Sequence, residues 1–164
     1  MSNQVGLPNG EQVRSVLPSP ERLAKGPVAI FECFQNIPCN PCADACPRGA
    51  IKPFTDINDC PKVNDSLCNG CGICLTVCPG LSIVVVDYSY SPDEALLKIP
   101  YEFLPLPGAG DKVTALNRTG QAAGTARVLK VQENRNKTAV IWLAVPKESV
   151  MEVRHIRPGE VMEA

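Results

Sequence analysis

A chain of 164 residues with 45% hydrophobic content has room for one or two globular domains, and its net charge of −1 and pI near 5.8 offer no cationic footprint for nucleic acid or an anionic membrane. No apolar run approaches the length that spans a bilayer, so a soluble, cytoplasmic setting is expected. Sixteen prolines and twelve glycines against 5% aromatic residues describe many turns and short elements instead of long helices. Nine cysteines in a chain that opens on polar residues, with no charged and apolar leader, argue for a reducing compartment and against a disulfide framework.

In chain order, residues 1–26 read as a polar, proline-punctuated arm with one ordered piece. There Ser19 is an N-cap, Pro20 stands at the first helical position, Glu21 follows early and Gly26 is the stop. An apolar segment at residues 27–31 predicts a strand and ends two residues before Cys33. Cys39, Cys42 and Cys46-Pro47 then give C-x2-C-x3-C-P, but Asn36 stands where a first cysteine belongs. Two cysteines are available to replace it, Cys33 and Cys60. Cys33 is preferred, because a loop through Gln35, Asn36, Ile37 and Pro38 returns it to Cys39 and Cys42, whereas Cys60 lies nearer the next run. A three-iron cluster on three cysteines, or Cys60 as ligand, are the competing readings.

Residues 50–52 read as a strand. Cys68, Cys71, Cys74 and Cys78-Pro79 follow as an uninterrupted C-x2-C-x2-C-x3-C-P, the ligand run of a bacterial-type iron–sulfur site. Three thiolates two residues apart wrap one cubane if the backbone coils tightly, and Gly70 and Gly72 permit that coiling. Short helices are expected after each run, at residues 43–46 and 73–77, and a β-branched strand at 81–86. Ile37, Ile51, Ile73, Leu81 and Ile83 are candidates to shield the clusters from water. Residues 91–107 read as a proline-rich linker. Within 108–164, strands are expected at 111–116, 125–131 and 138–145, with a hairpin turn at 133–137 and a final helix at 146–154. Trp142, in mid-strand, reads as core, and the lone His155 has no metal role to fill. There is no phosphate-binding glycine fingerprint, no second histidine and no activated nucleophile.

The two cysteine runs, each followed by proline, resemble the two-cluster ferredoxin fold of bacterial electron carriers, over residues 27–88. The resemblance implies two [4Fe–4S] clusters, the first held by Cys33, Cys39, Cys42 and Cys78, the second by Cys68, Cys71, Cys74 and Cys46; a [3Fe–4S] cluster is the alternative at the first. More narrowly, residues 32–47 and 78–81 are similar to ferredoxin-like subunits that accompany flavin-dependent amino-acid dehydrogenases of the proline, hydroxyproline and sarcosine type.

The expected architecture is therefore α+β: an arm at 1–26, a two-cluster ferredoxin-like core at 27–90, the linker at 91–107 and a small all-β, SH3-like barrel at 108–164 serving as a docking domain. The expected function is relay of single electrons within a hetero-oligomer. Its partners would be FAD-containing dehydrogenase or oxidoreductase subunits, with a [2Fe–2S] subunit as a further candidate. The chain makes no bonds itself. Two other classes stand against this one, a freely diffusing ferredoxin and a zinc or scaffold protein. Zinc fits poorly, since a closed tetrahedral site would leave ligands of the regular runs unused.

Overall fold

The computed structural model describes residues 6–158. Seven antiparallel strands form one sheet in the order β1-β2-β3-β6-β5-β4-β7, with β1 at Val28–Phe31, β2 at Ile83–Asp87, β3 at Glu94–Tyr101, β4 at Lys112–Leu116, β5 at Ala122–Gln132, β6 at Ala139–Pro146 and β7 at His155–Arg157. Four short helices accompany it: α1 at Gly10–Val16, α2 at Pro20–Leu23, α3 at Pro41–Ala45 and α4 at Ile73–Val77.

The two-residue period of the strands separates two cores. Val28 and Ile30 of β1, Val84 and Val86 of β2, and Leu97 and Ile99 of β3 face a large core to which every strand contributes. Their neighbours Ala29, Phe31, Ile83 and Val85 face the other way, onto Leu75 and the cysteine loops. Strands buried on both faces read as continuous apolar runs, which is why residues 28–31 and 83–86 show no alternation. Full burial of each such Ile, Leu or Val contributes roughly 1.5–3 kcal/mol.

The sheet corrects the expected domain plan. Residues 94–101 are no linker: β3 pairs with β2 on one side and, over eight residues, with β6 on the other. Pro100 lies within this strand, whose Ala95, Leu97 and Ile99 alternate inward as a strand requires. Residues 108–158 accordingly form no separate barrel; their strands extend the sheet that carries the cysteine loops, and share its core. The sheet's two ends, far apart in strand order, are drawn together by Glu32. Its carboxylate, just past β1, accepts hydrogen bonds from Nε of Arg118 at 3.1 Å and Nε of Arg154 at 3.1 Å, residues that follow β4 and precede β7.

Smaller corrections have local causes. The arm holds a second ordered piece, α1, built on a capping box in which Asn9 and Gln12 satisfy each other's backbone amides. Residues 1–5 of the arm lie outside the described residues. The strand expected at 50–52 is reduced to one bridge, Ile51 to Val63. In place of a helix at 146–154 the chain makes consecutive turns that bury Val150 and Val153, and then enters β7, which the sequence did not reveal.

Candidate metal centres

The first group of thiols forms where three separate segments meet. Cys33 leaves the end of β1, Cys39 and Cys42 flank the start of α3, and Cys78 caps the end of α4. All four line one cavity of about 390 Å³, closed on one side by Leu7, Pro8 and Gln12 of the arm. The Cys39 amide donates to the Ile57 carbonyl at 3.1 Å, and the Cys78 thiol lies 3.3 Å from the Ser82 hydroxyl. Asn36 turns away from the cavity: its side-chain amide donates to the Asn58 carbonyl at 3.0 Å and lies 3.8 Å from Cys60 Sγ. Cys60 thus sits behind the loop that presents Cys33. It is nonetheless close enough that, after burial, it is the leading charged neighbour raising the Cys33 thiol, ahead of Cys78 and Cys39.

The second group gathers Cys46, Cys68, Cys71 and Cys74 around a smaller cavity of about 20 Å³. Cys71 is its exposed member and Cys74 its buried one. Gly70 and Gly72 both take positive φ, +69° and +80°, as the tight coil between ligands requires. Gly70 is further constrained by contact, since a Cβ there would stand 2.4 Å from the Pro27 side chain. Amides of Ala29 and Gly70 each lie 3.4 Å from Cys68 Sγ. Cys46 is raised by its burial, but amides of Ala50, Arg48, Ile51 and Gly49 outweigh that and hold it below the ordinary thiol range.

The donor chemistry fits an iron–sulfur cluster. Burial, with the neighbouring thiols of its own group, pushes Cys42 up to about 11 and Cys74 up to about 12. Crowded thiols of this kind release their protons to a cationic metal core and resist doing so without one. Among the described residues, no three His, Cys, Asp or Glu converge tightly enough to hold one metal ion. Each of the two groups offers four thiols, the donor set that an iron–sulfur cubane takes.

The crossover of the two runs follows from the helices. α3 places Cys42 and Cys46 on opposite groups and α4 does the same for Cys74 and Cys78, so each short helix spans both centres. Of the apolar shields expected, Ile51 and Ile83 are buried, while Ile37 and Ile73 are about half exposed, Ile37 nonetheless lining the first cavity. Trp142 is only half-buried, with Lys98 and Lys130 ammonium groups 4.1 and 4.8 Å from its ring. His155 stacks with Tyr101 and Phe103, away from both groups. Sequence reading missed Arg22 and Lys98, whose side chains reach the second ligand loop: Lys98 Nζ donates to the Gly70 carbonyl at 3.3 Å, and Arg22 to that of Cys68 at 2.6 Å. No local pattern marks them, since their partners lie 28 and 46 residues away.

Residues 61–84, which include Cys68, Cys71, Cys74 and Cys78, match the family model of the 4Fe-4S binding domain. The chain therefore carries a ferredoxin-like 4Fe-4S binding domain, and iron–sulfur electron transfer is the function that this domain and the similar proteins support. Those proteins are the ferredoxin-type protein NapF of Escherichia coli K12 and its counterparts in strains O6:H1 and O157:H7, each 35% identical over 60 residues, 35% of this chain and 36% of the relative. The chain thus spans about a third of the length of the curated relatives it matches. No solved structure matches it. Among the described residues, no helix is long and apolar enough to cross a membrane.

Proposed function

We propose that the chain is an electron-transfer subunit with two [4Fe–4S] clusters, relaying single electrons between a FAD-containing amino-acid dehydrogenase or related oxidoreductase and a second redox centre. The observation that carries this reading is the sorting of eight of the nine cysteines into two groups of four, with Cys46 and Cys78 exchanged between the runs. Cys33, Cys39, Cys42 and Cys78 hold the first cluster; Cys68, Cys71, Cys74 and Cys46 hold the second. A four-iron cluster takes up and gives up one electron with little change of geometry. The chain's own residues supply thiolates, amides that bond the sulfurs, and the apolar side chains of Phe31, Leu75 and Ile83 that exclude water. The flavoprotein partner rests on the likeness of residues 32–47 and 78–81 to subunits of such dehydrogenases. A cytoplasmic hetero-oligomer follows.

Iron and acid-labile sulfide in anaerobically purified protein should each approach eight per chain. About four would remove one centre, and about seven irons would place a three-iron cluster at the first. The partner is tested by affinity purification from the native host followed by addition of candidate amino acids. A flavin-containing subunit should co-purify, and a substrate should bleach the cluster absorbance. A chain that purifies alone, with clusters reduced equally well by unrelated donors, would make the diffusible-carrier reading the better one.

A further inference from the structure

Arg22 does more than end a short helix. Ser19 caps α2 through the Arg22 amide at 3.1 Å, which turns the Arg22 side chain inward to burial at 9% exposure. Its guanidinium donates to four carbonyls: Asp65 at 2.7 Å, Gly26 at 3.1 Å, Pro27 at 2.9 Å and Cys68 at 2.6 Å. All four acceptors are neutral. A buried guanidinium ordinarily stands against a carboxylate, because desolvating an unpaired charge is costly. Here the compensating anion is absent from the hydrogen-bond set, while the same Cys68 whose carbonyl it holds offers its sulfur to the amides of Ala29 and Gly70.

Resting on the two-cluster reading above, we propose that Arg22 is the positioning residue that sets the potential of the second cluster, as a fixed cation supplied by the arm. Reduction adds one electron to the cluster, and no bond forms or breaks at Arg22. The added negative charge is stabilised by a positive charge held nearby in a medium of low polarity, so the oxidised-to-reduced equilibrium shifts toward reduction. Its fork bridges the Gly26 and Pro27 carbonyls before β1 and the Asp65 and Cys68 carbonyls at the entry to the ligand loop. The charged side chains that line the first cavity are instead carboxylates, those of Asp59 and of Glu32, the latter already paired with Arg118 and Arg154.

The test is a dithionite titration of the full-length protein, followed by electron paramagnetic resonance, in wild type, Arg22→Gln and Arg22→Lys. Cys71→Ala identifies which midpoint belongs to the second cluster. In Arg22→Gln the second cluster's oxidised-to-reduced ratio at fixed ambient potential should rise about tenfold, a fall of about 59 mV for a one-electron couple. The first midpoint should not move. Arg22→Lys, which keeps the charge and loses the fork, should stay near wild type. Unchanged midpoints in a fully loaded Arg22→Gln protein would overturn the proposal, and so would a shift in Arg22→Lys equal to that in Arg22→Gln. Loss of half the iron in Arg22→Gln, with Arg22→Lys loaded and unshifted from wild type in cluster content only, would assign Arg22 to holding the loop and overturn it as well. Wild-type protein without two cluster signals would instead sink the two-cluster reading before Arg22 is at issue.

Discussion

The two cysteine groups have the same number of thiols and differ in almost everything that supports them. The first is assembled across long sequence gaps around a roomy cavity, with the arm as one wall and the Glu32 ion pairs behind it. The second is compact, coiled over Gly70 and Gly72, and clamped by Arg22 and Lys98 through backbone carbonyls. Asn136, in the turn between β5 and β6, adds a hydrogen bond to the Thr76 carbonyl at 2.7 Å, so the C-terminal strands also hold α4. A ligand run with regular spacing builds its own loop. A run with a displaced ligand depends on the rest of the fold to complete it.

The largest effects should come from the thiols themselves. Cys74→Ala should remove the second cluster and Cys42→Ala the first, each lowering iron from about eight to about four per chain. Cys33→Ala should behave as Cys42→Ala does, while Cys60→Ala keeps the full iron content. The reverse outcome for those two would make Cys60 the ligand and redraw the first group.

Next in size is the coil of the second group. Gly70→Ala places a Cβ 2.4 Å from the Pro27 side chain and 2.8 Å from its carbonyl carbon at a φ of +69°, so either the loop or β1 must shift. A loss of about 3 kcal/mol is expected in urea unfolding, together with the second cluster. Gly49→Ala, at a φ of +62° with open space around it, should cost only about 1 kcal/mol. Equal costs would mean that the backbone conformation matters and the contact with Pro27 does not.

Glu32 tests the support behind the first group. Burial raises its carboxyl, but hydrogen bonds and charges from Arg118 and Arg154 outweigh that and hold it below the ordinary value of 4.5. A depressed folded-state value means that the stabilisation is fully present above about pH 4.5 and is lost as pH falls through the lower folded-state value. Glu32→Gln should cost about 3 kcal/mol at pH 7, because two arginines lose their anion. It should also flatten the acid limb of the stability curve. An unaltered acid limb would show that the ion pairs do not govern acid unfolding.

The smallest effect belongs to Lys130→Ala, which removes the exposed one of the two ammonium groups over Trp142. A change of about 0.5 kcal/mol is expected, with both clusters retained. A larger loss would mean that the outer face of the sheet supports the second group more than its contacts suggest.

Truncation is a poorer experiment on this chain than the sequence suggests. Removing residues 111–164 strips β6 from β3 along eight paired positions and takes Ile141, Leu143, Val145 and Ile156 out of the shared core. Such a loss would unfold the scaffold under the clusters and not merely a docking module.

The spacing of the cysteines determined the chemistry by itself. C-x2-C-x2-C-x3-C-P is a local geometric statement, and Gly70 and Gly72, both at positive φ, meet the local backbone demand it makes. The capped helix at Ser19 and strands expected at residues 111–116, 125–131 and 138–145 are legible for the same reason, since caps, turns and apolar runs act over a few residues, although β5 begins earlier, at Ala122. The capping box at Asn9 and Gln12 was equally local and went unread. Only the tertiary structure decided that Asn36 faces Cys60 while Cys33 lines the first cavity, that residues 94–101 are a central strand, and that Arg22 reaches Cys68. Those outcomes depend on which distant segments a sheet brings side by side. That choice is made by burial summed over the whole core, and no window of a few residues contains it.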